Sequence, residues 1–156
     1  MIVGVTGHRK LGGYTVPNAT YNRVEKKIKQ ILVDLKAVDR IITGMAIGAD
    51  QLMAKIAIEL EIPFTAAVPF KGQESRWPSF VQDEYRDLLQ QADSVVIVSE
   101  GIYSAEKMQI RNEWIVNHSD VMIAVFNEIP KGGTYNCICY AEEKKKPIYK
   151  INPLTR

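Results

Sequence analysis

The sequence predicts an α/β domain on a mostly parallel sheet of about six strands. Three observations predict it. Short apolar runs alternate with segments of helical period along the chain. Those runs are apolar on both faces, as in a sheet covered by helices on each side. Glycine-bearing loops follow the runs: Thr43-Gly44-Met45-Ala46-Ile47-Gly48-Ala49-Asp50 and Pro130-Lys131-Gly132-Gly133-Thr134, with a further cluster at Thr6-Gly7-His8-Arg9.

Residues 2–6 read as the first strand, closed by Gly7. Gly12-Gly13 and Pro17-Asn18 then mark a loop before a helix. In that helix Val24, Ile28, Ile31, Leu32 and Leu35 share one face, and Lys26, Lys27 and Lys29 lie elsewhere. Residues 40–43 form the second strand. Ala49, Leu52, Met53, Ile56, Ala57 and Leu60 then follow an unbroken helical stripe. The third strand, 63–68, ends in a polar loop over 69–78. Val81, Tyr85, Leu88, Leu89 and Ala92 form the next stripe.

Residues 94–98 read as a fourth strand whose place in the sheet, central or edge, the sequence leaves open. An irregular stretch over 99–105 and a helix through 111–117 lead to the most apolar strand, 121–126. The Gly132-Gly133 loop opens a last helix, and Lys144-Lys145-Lys146 is a solvated helix end suited to the negative pole of its dipole. Residues 147–151 close the sheet. The expectation is one Rossmann-like three-layer domain over residues 1–156.

Composition narrows the function. Of 156 residues, 46% are hydrophobic and 24% charged, as in ordinary globular proteins. A net charge of +2 argues neither for nucleic acid nor for an anionic membrane. Cys137 and Cys139 would point about 200° apart on a helix, which reads as ordinary thiols. Two histidines and no paired-cysteine motif predict no metal site. Without a charged leader or a long apolar stretch, the expected location is the cytoplasm.

In folds of this kind ligands sit at the carboxyl ends of the strands. Gly44 and Gly48 would let the backbone approach a phosphate, or would merely allow tight turns. Asp50 either caps free N–H groups or binds a ribose hydroxyl. Arg9, Arg76 and Arg111 each stand beside a strand-end loop, and a guanidinium fork suits phosphate. Trp77 either stacks on a base or covers the core. Gln73, Glu74 and Ser75 are polar enough to read a base edge or ribose. His8 either contacts phosphate or is hydrogen-bonded within its own loop. Trp114 shares a helix with Arg111, so one of the two faces the core.

Taken together, the 44–50 loop, Pro69-Phe70-Lys71-Gly72-Gln73-Glu74-Ser75-Arg76-Trp77-Pro78, Arg111-Asn112-Glu113-Trp114, Gly132-Gly133-Thr134 and the Gly7-His8-Arg9 start resemble the YpsA-like branch of the SLOG superfamily. Relatives there include the Lonely guy phosphoribohydrolases and the DNA-processing protein DprA/Smf. The resemblance implies a pocket for nucleotides or nucleotide-derived molecules such as ADP-ribose derivatives. On this basis the ligand-binding set is Gly7, His8, Arg9, Gly44, Met45, Gly48, Asp50, Gln73, Glu74, Arg76, Trp77, Arg111, Gly132, Gly133 and Thr134. Catalytic relatives are often dimers, so a homodimer is the self-association it implies.

The phosphoribohydrolases carry a substrate-holding arginine and a catalytic glutamate three residues after the threonine of their glycine loop. Arg111 matches the arginine. Here the loop is one glycine short, and Cys137 stands where the glutamate would be. A thiol cannot stabilise an oxocarbenium-like centre as a carboxylate does. The expectation is therefore a sensor or sequestering module. Its alternatives are a hydrolase using Glu74 or Glu113 as acid/base and, furthest from the charge balance, DprA-like single-stranded DNA binding.

Overall fold

The computed structural model describes residues 1–12 and 18–155. Gly13 and Pro17, read above as part of a loop, lie outside them. The chain runs β1 (Ile2–Gly7), α1 (Ala19–Leu35), β2 (Arg40–Thr43), α2 (Ala49–Glu59), β3 (Phe64–Val68) and α3 (Ser79–Gln90). It continues through β4 (Ser94–Ile97), α4 (Ala105–Asn117), β5 (Val121–Val125), α5 (Gly133–Glu143) and β6 (Ile148–Ile151). The strands form one sheet in the order β4-β3-β2-β1-β5-β6, with every neighbouring pair parallel.

Alternation along each strand divides the core into two layers. Val3, Val5, Ile41, Phe64, Ala66, Val68, Ile123 and Val125 pack with α1, α2 and α3. Ile42, Ala67 and Met122 face the other way, against Ile115 and Val116 of α4 and Cys137 and Ala141 of α5. That is the three-layer Rossmann-like arrangement, and it explains why the central strands lack a polar face. Gly4 lets α4 sit close, since a Cβ there would come within 2.4 Å of Ser119 Oγ and 2.8 Å of Ile115 Cγ2.

Two local devices fix the helices that frame the site. Asn18 Oδ1 accepts the Tyr21 N–H at 2.9 Å and starts α1. Ser104 Oγ accepts the Lys107 N–H at 3.1 Å and starts α4. The fourth strand proves to be an edge strand, and Val95 and Ile97 are about half exposed there. No helix among the described residues is long and apolar enough to cross a membrane.

The chain leaves β1 toward β2 on one side and returns beyond β1 to β5 on the other. The sheet therefore has its switch point between β1 and β5, where strand-end loops diverge and open a crevice.

Candidate functional site

The loop after β2 is a packed knot. Thr43 Oγ1 donates to the Asp50 carbonyl at 2.6 Å and accepts the Met45 N–H at 3.3 Å. Met45 takes a left-handed φ of 64°, and the whole residue is buried. The Gly44 carbonyl accepts Arg111 Nη1 at 2.7 Å and Gln73 Nε2 at 3.1 Å. Arg111 Nη1 also reaches the Ala67 carbonyl at 3.2 Å, and its Nε donates to Asn112 Oδ1 at 3.0 Å. Arg111 is 3% exposed and ties the ends of β2 and β3 together. Trp114, its neighbour on α4, is half-buried and stacks on His118.

Space around these glycines is already filled. A Cβ at Gly44 would lie 2.5 Å from Arg111 Nη1 and 2.9 Å from Asp50 Oδ2. One at Gly48, whose φ is +91°, would meet the carbonyl oxygens of His8 and Arg9 at 2.4 and 2.5 Å. One at Gly7 would meet Ala49 Cβ at 2.5 Å. At Gly7, Gly44 and Gly48 the missing side chain makes room for protein atoms.

Burial governs the titratable groups beneath the loop. It pushes Asp50 up to about 6, against the pull of the Arg111 guanidinium, the Ala46 N–H at 3.3 Å and Arg9. It lowers the pKa of Arg111, with Asp50 opposing, and an arginine remains a cation. It pushes Cys137 up to about 11 despite a hydrogen bond with Thr6, so the thiol is protonated and is no nucleophile at neutral pH.

The Gly132-Gly133 loop is different. Gly132, at φ +94°, is the N-cap of α5, and a Cβ at either glycine would find nothing within 4 Å among the described residues. Bare backbone at a helix N-terminus facing open space is the arrangement that receives an anion. Thr134 follows in the first turn, 9% exposed.

A cleft of about 610 Å³ opens at the strand carboxyl ends, lined by Arg9, Ala46, Gln73, Arg76, Trp77 and Tyr103 among others. The Arg9 guanidinium lies 5.9 Å from the Trp77 ring centroid. Trp77 packs edge-on against buried Tyr85 at 5.4 Å, so it covers core and lines the cleft at once. Tyr103, 61% exposed, stands edge-on to Phe70. Sequence reasoning missed Tyr103 and Phe70; the signal was an aromatic in the irregular stretch after β4.

The two glutamates lie on different elements. Glu74 turns toward Arg86 of α3 at 3.6 Å and keeps Oε1 buried without a partner. Glu113 Oε2 accepts Gln109 Nε2 at 3.2 Å. His8 makes its bond across the switch point: Nε2 accepts the Asn127 N–H at 2.9 Å.

Comparison with known proteins follows the same outline. The SPbeta prophage-derived protein YoqJ of Bacillus subtilis (strain 168) is 31% identical over 145 residues, covering 81% of this chain and 84% of that one. A UPF0398 protein of Bacillus thuringiensis (strain Al Hakam) is 24% identical over 157 residues, 94% of this chain and 85% of its own. Among solved structures, DNA processing protein A from Helicobacter pylori, described for its single-stranded DNA binding mode, superposes with a TM-score of 0.70 at 18% identity. That match covers all of this chain and 66% of that one. The family model of the YspA SLOG family matches residues 3–155. The chain belongs to the YspA SLOG family.

Proposed function

We propose that the protein binds a nucleotide or nucleotide-derived, ADP-ribose-like ligand at the strand carboxyl ends, as a sensor or sequestering module. The observation that carries this is the cleft itself, where Arg9 and Arg76 meet the rings of Trp77 and Tyr103. Cations suit phosphates and aromatic faces suit a base. The open N-terminus of α5 adds a second phosphate-sized position at the same end of the sheet. A volume of about 610 Å³ lies in the range of small-molecule sites.

Arg111 serves this reading from beneath, by tying together the ends of β2 and β3, because its Nη1 donates to the Gly44 and Ala67 carbonyls. A protonated Cys137 gives no help to glycosidic cleavage. Calorimetry with ADP-ribose, AMP and NAD tests the proposal. Arg76→Ala should weaken binding by about 1.5–3 kcal/mol, the range of a charge-assisted contact. Failure of all three to bind would overturn it.

Two other activities have tests of their own. Chromatography over hours at high protein concentration should detect no free base. Base release that disappears in Glu74→Gln or Glu113→Gln would establish a hydrolase instead. The likeness to the Helicobacter protein supports single-stranded DNA as a second ligand class. Fluorescence anisotropy with a labelled oligonucleotide across a salt series would separate it, since phosphate-backbone binding falls steeply with salt.

A further inference from the structure

His8 is joined to three parts of the site at once. Its N–H donates to the Val125 carbonyl at 3.2 Å, continuing the β1–β5 pairing past the strand end. Its carbonyl accepts the Ala49 N–H at 3.1 Å and so satisfies one of the first N–H groups of α2. That helix has no side-chain cap, because its N-cap is Gly48. Its ring accepts the Asn127 N–H at 2.9 Å, at the start of the loop that leads to Gly132 and Gly133. A backbone N–H can only donate, so Nε2 must carry the lone pair and the ring proton must sit on Nδ1. The ring also lies 5.8 Å from Phe126, which stacks in turn on Tyr135 of α5.

We infer that His8 is a positioning residue for the anion-binding loop: as a neutral acceptor it fixes the segment from Asn127 to Gly133 against the β1 and α2 ends, and as a cation it lets that segment go. The inference rests on the ligand site proposed above. A protonated ring would set N–H against N–H, which turns a hydrogen bond into a repulsion. Half-burial already lowers the pKa of His8, the Asn127 contact opposing. Charged neighbours come from each side. Arg9 and Lys10 share its loop, Asp50 lies in the first turn of α2, and Glu128 follows Asn127. Arg23 of α1 reaches the Pro153 carbonyl at 3.2 Å, beside a cavity that His8 also lines. Burial raises Asp50 to about 6, so its own titration has to be told apart from that of His8.

The test uses two variants and two readouts. Gln at position 8 can still place an acceptor oxygen toward Asn127 but does not titrate; Leu cannot accept. In nitrogen-15 spectra that need no ligand, the Asn127, Gly132 and Gly133 amides should shift with the His8 ring as pH falls from 7.5 to 4.5, the range that a lowered His8 requires. ADP-ribose affinity should fall several-fold over the same interval. It should be flat with pH in His8→Gln and weak throughout in His8→Leu. Amides that ignore the His8 titration, or a pH-dependent affinity that persists in His8→Gln and so belongs to Asp50, would overturn the inference. Should ADP-ribose fail to bind at all, the ligand proposal falls, and the amide shifts still decide the role of His8.

Discussion

Gly44 and Gly133 are interchangeable as letters and opposite in their surroundings. At Gly44 the space a methyl would need holds the Arg111 guanidinium and an Asp50 oxygen. Gly44→Ala should lower stability by roughly 1–3 kcal/mol, as overpacking does, read from urea midpoints at constant m. At Gly133 that space is open, so Gly133→Val should change stability by no more than about 0.5–1 kcal/mol and abolish nucleotide binding in calorimetry. Unchanged affinity would make the loop a mere turn. Asp50 adds a pH signature. Its folded pKa of about 6 stands above the ordinary value of 3.8, so its contribution is fully present below about 3.8 and is lost as pH rises through 6. Asp50→Asn, which cannot ionise, should therefore gain on the wild type by roughly 1–3 kcal/mol between pH 4 and pH 7, measured by urea unfolding. A constant difference across that window would mean that Asp50 does not titrate as its burial dictates.

Among the elements, α2 depends on a residue outside itself. The His8 carbonyl holds its first N–H, and Gly48 admits that carbonyl only because it lacks a Cβ. Gly48→Ala combines a left-handed φ with a clash against main chain that cannot swing away. It should cost roughly 2–4 kcal/mol, visible as an earlier urea midpoint. At the sheet edge the opposite holds. Val95 and Ile97 of β4 lie about half in solvent on the edge strand of the sheet, a liability for edge-to-edge association. Ile97→Lys should slow aggregation on heating, followed by light scattering, and change stability by less than about 1 kcal/mol. The elements themselves were legible because their periods are local: the α2 stripe and the doubly apolar β5 need only a few neighbours to be read. The edge placement of β4 was not, because four apolar residues read alike in the middle of a sheet and at its rim.

Over the whole molecule, the site depends on contacts between distant parts of the chain. Arg111 meets Gly44 across 67 positions and His8 meets Asn127 across 119. That separation is why the sequence could nominate Arg111 and His8 and still leave their tasks open. An arginine near a strand end looks the same whether its fork points at a phosphate or at a carbonyl. The cleft was legible in outline, through Arg76 and Trp77; Tyr103 was not, since its approach to Phe70 joins two loops. The pairing of β1 with β5 carries a consequence for synthesis. When a ribosome has delivered the first hundred residues, four parallel strands can already associate, with β1 at their border and its far edge empty. Val121 and its successors must emerge before that border closes, and Gly132 later still. Until then the nascent chain holds out the apolar rim of its future centre, so a transcript cut short there yields an adhesive fragment.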